Sequence, residues 1–384
     1  MPRRAFILGG LAWLRAAPMA GAGAGCAGST AAGAKGGAGR PPGTGLRYRG
    51  VCYETGLVSG PGEPSSLPIW DRGRMDADVR VIGEQLHCNS ITVFGSDIGR
   101  LVDTSRAALE QNLTVFVQPR LYDHPQEQIL RHLAHTAREV QGLRERYGDR
   151  VTLIIGCEYV LFVPGIAPGE RFTERIERFG QTPEEDYPAI FERLHAFIRK
   201  AAGVARENFD GPVTYAAATF EDVDWSLFDF VGLDYYEYFQ TPAEYHRDLE
   251  GHRRHGKPIL ILEFGSCTYR GAPEKGGSGY AIVDYEQDPP RIRGSEVRSE
   301  RAQADHIARL MPIFEAEGLL GAHVYTFMAP DSPYAAEREY DLDMASFGLV
   351  KVVRERRADP SSPYRWEPKE SFHALARHNR EARR

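Results

Sequence analysis

Eight short apolar runs, separated by stretches with helical spacing, constrain this chain more than any other feature. They are "LRYRGVCY" (46–53), "CNSITVFG" (88–95), "LTVFVQPR" (113–120), "RVTLIIGCE" (150–158), "PVTYAAAT" (212–219), "FDFVGLDYY" (228–236), "PILILEF" (258–264) and "GAHVYTFM" (321–328). Runs this apolar suit strands covered on both faces, which is how parallel sheets are built. Between them, residues 74–87 place Val79, Ile82 and Leu86 on one side, and 126–147 do the same with Ile129, Leu133, Val140 and Leu143. Residues 184–205 carry a broader apolar face, with Pro188 in the first turn, where proline is tolerated. Further helices are expected at 102–111, 241–255, 299–317 and 369–380, and only a short turn at 221–227. Eight βα units over 46–384 predict a single-domain (β/α)8 TIM barrel, with a doubly wound open sheet as the alternative.

The first 45 residues read differently. Arg3 and Arg4 precede an apolar run that ends at Leu14 and then small residues, the order of an export signal of the twin-arginine type. The run is too short to span a bilayer, which takes about 20 apolar residues. The Gly/Ala-rich tract behind it reads as a flexible linker, and Cys26 in "GAGC" is a candidate lipid-anchor site. An exported, extracytoplasmic location, secreted or cell-surface anchored, is the expectation, with the membrane a partner only through that anchor. The tract also spells G-x-G-x-x-G from Gly23 to Gly28, but neither a strand before it nor a helix after it is expected, so a dinucleotide site is rejected.

Composition narrows the partners. The net charge is −6, and the 47 Lys and Arg are scattered among 53 acids, so neither a nucleic-acid groove nor an anionic membrane face is indicated. Cys52, Cys88, Cys157 and Cys267 are widely spaced with no C-x-x-C, and read as buried thiols. His132 and His135 stand three apart without an evident third ligand. No metal and no cofactor are expected.

The expected loops are uneven. Long segments follow strands four, seven and eight at their C-terminal ends, where barrel enzymes build their sites. Two of the strands end in Glu: Glu158 after "LIIGC" and Glu263 after "LILIL". In a closed barrel these acids face each other across the mouth. Two opposed carboxyl groups are the machinery of glycoside hydrolysis, in which one protonates the leaving oxygen and the other attacks or activates water. The bland alternative is that each Glu pairs with an Arg or Lys and holds loops in place. Around the mouth, Glu54, Asp97, Arg120, Tyr159 and Tyr325 are candidate substrate contacts. Aromatic rings with an apolar face and a polar edge suit a carbohydrate.

Acids at the ends of strands four and seven resemble the arrangement of clan A retaining glycoside hydrolases, over about 46–384. The resemblance implies Glu158 as acid/base, Glu263 as nucleophile, and Tyr235 or Tyr236 in "GLDYYEY" as the aromatic that hydrogen-bonds the nucleophile. It also implies a substrate contact just before the acid/base, where the clan has Asn and this chain has Cys157. The clan's Arg after strand two is replaced by "FGSD" (94–97), leaving Arg120 to supply the cation, and its strand-eight Trp by Tyr325 or Phe327. A fainter similarity, in "EFGSCTYRG" and "GGSGYAIVDY", is to exported actinobacterial proteins labelled abortive phage infection proteins. The alternatives are a carbohydrate-binding protein without turnover, and a lyase or isomerase using one Glu as base.

Overall fold

The computed structural model describes residues 45–357 and 359–382; the export segment, the linker and Cys26 lie outside the described residues. Eight parallel strands close into a barrel: β1 (Tyr48–Glu54), β2 (Ser90–Gly95), β3 (Thr114–Pro119), β4 (Val151–Cys157), β5 (Val213–Ala218), β6 (Val231–Asp234), β7 (Ile259–Phe264) and, as the eighth stave, β10 (Gly321–Val324). The two staves β1 and β10 pair with each other and seal it. Each lies in the run where the sequence places it, because those runs are buried on both faces.

The helices follow from the same periodicity and from their caps. They are α1 (Arg72–Glu84), α2 (Ile98–Glu110), α3 (Gln126–Tyr147), α4 (Tyr159–Phe162), α5 (Phe172–Phe179), α6 (Tyr187–Asn208), α7 (Pro242–Arg253), α8 (Glu300–Ala316) and α9 (Glu370–Glu381). Asp71, Asp97 and Ser299 accept backbone amides at the starts of α1, α2 and α8, and Thr241 with Glu244 forms a capping box on α7. Asp97 thus starts α2 four residues before the apolar spacing does. After β5 only a 3-10 turn, Trp225–Leu227, leads into β6.

Strands six and eight are shorter than their apolar runs. Tyr235 and Tyr236 lie beyond β6, and β10 ends at Val324: the Tyr325 amide still donates to Phe264 of β7 (2.8 Å), but Thr326 leaves the barrel ladder, its amide donating to Phe347 (3.3 Å) and its carbonyl accepting the Leu349 amide (2.9 Å). The long loops are built, not slack. The loop after β4 contains α4 and α5 and is pinned by Arg175, fully buried, which bonds Asp123 and the carbonyls of Leu161, Gly169 and Glu170. The loop after β7 carries a small hairpin, β8 (Val283–Asp284) with β9 (Arg291–Ile292). The segment after β10 folds into a second hairpin, β11 (Val350–Arg354) with β12 (Tyr364–Pro368), before α9. Buried Lys369 ties these last two regions together, donating to Asp343 (3.0 Å) and to Thr268 (2.8 Å).

Inside the barrel, toward the N-terminal ends of the strands, His323 fills the floor. Its ring nitrogens contact Ser90 Oγ (2.9 Å) and Thr92 Oγ1 (2.6 Å), and Phe116 meets it edge to face. Burial pushes its pKa down to about 3, so the ring is neutral. Gly50 makes room for it: a Cβ there would come within 2.5 Å of the imidazole.

Candidate active site

At the opposite, C-terminal end of the staves, β7 delivers Glu263 into the barrel mouth, 6 % exposed. One carboxylate oxygen is in a salt bridge with Arg120, which stands just past β3. The other accepts the Tyr236 hydroxyl (2.9 Å). Arg120 is itself buried, with Nε on Gln118 Oε1 (2.7 Å), Nη1 on the Tyr122 hydroxyl (3.3 Å) and its guanidinium 4.1 Å above the Phe94 ring. A buried anion is tolerable only with such partners, and here both oxygens have one.

Glu158 is placed by a different device. β4 ends at Cys157, and Glu158 turns the chain with φ 42° and ψ 50°, a left-handed conformation that costs a non-glycine residue about 1–3 kcal/mol. Its amide donates to Ala216 of β5 (2.9 Å), and its carbonyl accepts the amides of Leu161 (2.9 Å) and Phe162 (3.1 Å), which starts α4. Burial, then the charges of Glu263 and Glu221, push the Glu158 carboxyl up to about 8, against the pull of Arg120. At neutral pH it therefore holds its proton, beside a carboxylate paired with a guanidinium.

Other groups complete the mouth. Asp234, at the end of β6, points inward with neither oxygen bonded to any described residue; burial, then Glu263 and Glu158, hold it well above the usual carboxylate range. The Tyr325 hydroxyl is also buried and without a partner among the described residues, while its ring stacks on Phe94 at 5.6 Å. Glu54, at the end of β1, accepts the Ser66 hydroxyl, and burial followed by the charge of Asp331 lifts it to about 8. Cys157 is 3 % exposed with Sγ 3.7 Å from the Tyr122 hydroxyl, and burial raises its thiol pKa, so it is a neutral wall group.

The structure thus gathers Glu158, Glu263, Arg120, Tyr236, Glu54, Tyr325 and Cys157 at one mouth. Three expected contacts stand elsewhere. Tyr159 turns away behind β4: its hydroxyl bonds the Ile155 carbonyl and its ring packs on Phe197 of α6, in space that Gly156 leaves open. Tyr235 points out of the barrel, donating to Asp248 of α7 (2.7 Å), since successive residues beyond a strand still alternate faces. Asp97 is exposed and spends its carboxylate on the Arg100 amide (2.9 Å).

Sequence reasoning missed Gln118, Glu221 and Asp331 as members of this neighbourhood. For Glu221 the signal was weaker: it is an acid three residues past the end of β5, whereas Glu158 directly follows β4. For Gln118, inside an apolar strand, the signal was a polar residue two positions before Arg120, on the same face.

No protein-family model matches the chain, and no curated protein matches it in sequence. Among solved structures it is similar to Bacteroides uniformis β-glucuronidase 2 covalently bound to cyclophellitol-6-carboxylate aziridine, with a TM-score of 0.53 and 14 % identity, over 88 % of this chain and 35 % of that one. It is likewise similar to the apo β-glucuronidase of Ruminococcus gnavus, with a TM-score of 0.52 and 12 % identity, over 87 % of this chain and 50 % of that one. The chain therefore spans a third to a half of the length of these proteins. The likeness is one of fold: a closed (β/α)8 barrel of the kind these glycoside hydrolases contain.

Proposed function

We propose that this barrel hydrolyses a glycosidic bond by a two-carboxyl mechanism, with Glu158 as proton donor and Glu263 as nucleophile. The observation that carries the reading is the unequal setting of the two acids. Glu158 is lifted to about 8 by burial and by Glu263, while Glu263 is in a salt bridge with Arg120 and accepts Tyr236. Glycoside hydrolysis needs one protonated and one ionised carboxyl flanking the scissile bond.

In the first step Glu158 gives its proton to the departing oxygen as the C–O bond breaks, and Glu263 forms a bond to the anomeric carbon. Glu158, now ionised, takes a proton from water as that water displaces Glu263, which restores both acids and retains configuration. Tyr236 and Arg120 hold the Glu263 oxygens for attack, and the Tyr325 hydroxyl and Asp234 offer hydrogen bonds to sugar hydroxyls. The Arg3–Arg4 segment adds an export setting, which replacing both arginines by Lys and following the protein between cell fractions would test.

The test is a panel of 4-nitrophenyl glycosides followed by a 2-deoxy-2-fluoro glycoside of whichever sugar is cleaved. Turnover, with the label on the Glu263 peptide by mass spectrometry, is the expected result. Cleavage that survives Glu263→Gln unchanged overturns it.

A second reading, a carbohydrate-binding protein without turnover, is favoured by the fact that both Glu263 oxygens already have partners. Under that reading glycans bind equally to the natural chain and to Glu263→Gln, and no glycoside is cleaved.

A further inference from the structure

Glu221 lies in the turn after β5 and is 9 % exposed. One of its carboxyl oxygens accepts the Val160 amide (3.0 Å), and the other accepts the Ala218 amide (3.1 Å). The Tyr215 hydroxyl donates to both, at 3.0 and 2.9 Å, and in turn accepts the Tyr159 amide (2.6 Å). Since the Glu158 amide goes to Ala216, the three consecutive amides of residues 158, 159 and 160 are all tied to β5 and its turn. This is the segment that holds Glu158 in its left-handed conformation, which persists only where surrounding bonds over-determine it.

We propose that Glu221, working with Tyr215, is a positioning residue for Glu158: it locks the turn that presents this acid to the mouth, and its negative charge holds the Glu158 proton in place. The role rests on the hydrolase reading for its catalytic meaning, but the placement itself does not. Glu221 is the third cause that lifts Glu158, after burial and Glu263, and Glu221 is itself raised by burial to about 7, so it is largely ionised when Glu158 titrates near 8. The other groups facing Glu158 are Glu263 from β7, Arg120 beyond β3, Cys157 of β4, Asp234 of β6, Tyr236 beyond β6, and Tyr280 from the loop after β7. Unlike the other acids facing Glu158, Glu263 and Asp234, Glu221 also bonds the backbone next to it, through the Val160 amide.

The measurement is a carboxyl ¹³C NMR titration of the full chain labelled at Glu, with the Glu158 signal identified by its loss in Glu158→Gln. In Glu221→Gln the nearby charge is gone, and the amide has one acceptor oxygen plus an NH2 that would face an N–H donor. The Glu158 midpoint should then fall by about one unit, an ordinary size for the removal of a neighbouring like charge. If the chain cleaves glycosides, the alkaline limb of kcat/KM should fall by the same amount and kcat by roughly tenfold, with KM little changed. Tyr215→Phe keeps the charge but cuts the link to the Tyr159 amide, so turnover should drop with a smaller movement of the midpoint. A folded Glu221→Gln whose Glu158 midpoint stays where it is in the natural chain overturns the proposal. If that variant fails to fold, Tyr215→Phe with natural midpoint and natural turnover overturns it instead. A natural chain that cleaves no glycoside removes the hydrolase reading, and the midpoint still decides the placement.

Discussion

The barrel has two polar layers inside, and they are built on opposite rules. At the floor, His323 finds Ser90 and Thr92 within hydrogen-bond distance, stays neutral and is roofed by Phe116. At the mouth, Asp234 and the Tyr325 hydroxyl have no partner among the described residues, and Glu158 and Glu54 are both lifted to about 8. Burying a polar group without a partner costs a few kcal/mol, so the mouth is maintained against stability while the floor adds to it. Self-satisfied polar groups plug a barrel, whereas unsatisfied ones are what a ligand can bind.

If the contrast holds, substitutions in the two layers separate activity from stability. The largest effect belongs to Glu263→Gln, which should lower kcat by about four orders of magnitude or more on the best glycoside found, and should also lower the melting temperature because buried Arg120 loses its anion. Glu158→Gln should cost about 10²–10⁴ in kcat, and least for substrates whose leaving group needs no proton. A rate in either variant close to that of the natural chain would break the comparison.

Next in size is the floor. His323→Ala leaves a cavity and two hydroxyls without their partner, and should cost about 3 kcal/mol in denaturant unfolding while the folded fraction keeps its kcat. Gly50→Ala, which drives a methyl to 2.5 Å from the same ring, should destabilise in the same direction. A loss of turnover in folded His323→Ala would show that the layers are coupled.

The pH dependence sharpens the mouth. The Glu158 pKa in the folded chain, about 8, lies above the ordinary value of 4.5, so its stability contribution is complete below about pH 4.5 and is lost as pH rises toward 8. Glu54 has the same sign and the same window. Melting temperatures should therefore fall between pH 5 and 8, and Glu158→Gln together with Glu54→Gln should flatten that fall. Under the proposed mechanism, in which Glu158 is the proton donor, the alkaline limb of kcat/KM should lie near the same upper value. The smallest effects are expected at the residues that stand outside the mouth: Asp97→Asn, which keeps a helix-capping oxygen, and Tyr235→Phe should leave KM within about twofold.

Much of this was legible in a chain of letters. The eight staves, the long loops after strands four, seven and eight, and the acids Glu158 and Glu263 followed from apolar runs and from where charge interrupts them. Tyr235 and Tyr236 could not be told apart, because strand periodicity says that neighbours take opposite faces but not which face is inside. Tyr159 was misplaced because the left-handed turn at Glu158 folds the following residue back under the strand, a reversal that only Gly156 hints at. Asp97 looked like a rim acid and is a helix cap, a role that depends on where α2 begins.

Sequence alone determined the architecture and the candidate pair, since alternating apolar runs and helical faces have few ways to bury themselves and a closed barrel puts strand ends on one rim. Tertiary structure decided how those acids are set against each other: that Arg120, two residues past Gln118, reaches Glu263, that Glu221 and Tyr215 hold the turn of Glu158, and that Asp234 is left unbonded. Proton affinity is a property of surroundings, and those surroundings come from staves distant in sequence that meet only when the barrel closes.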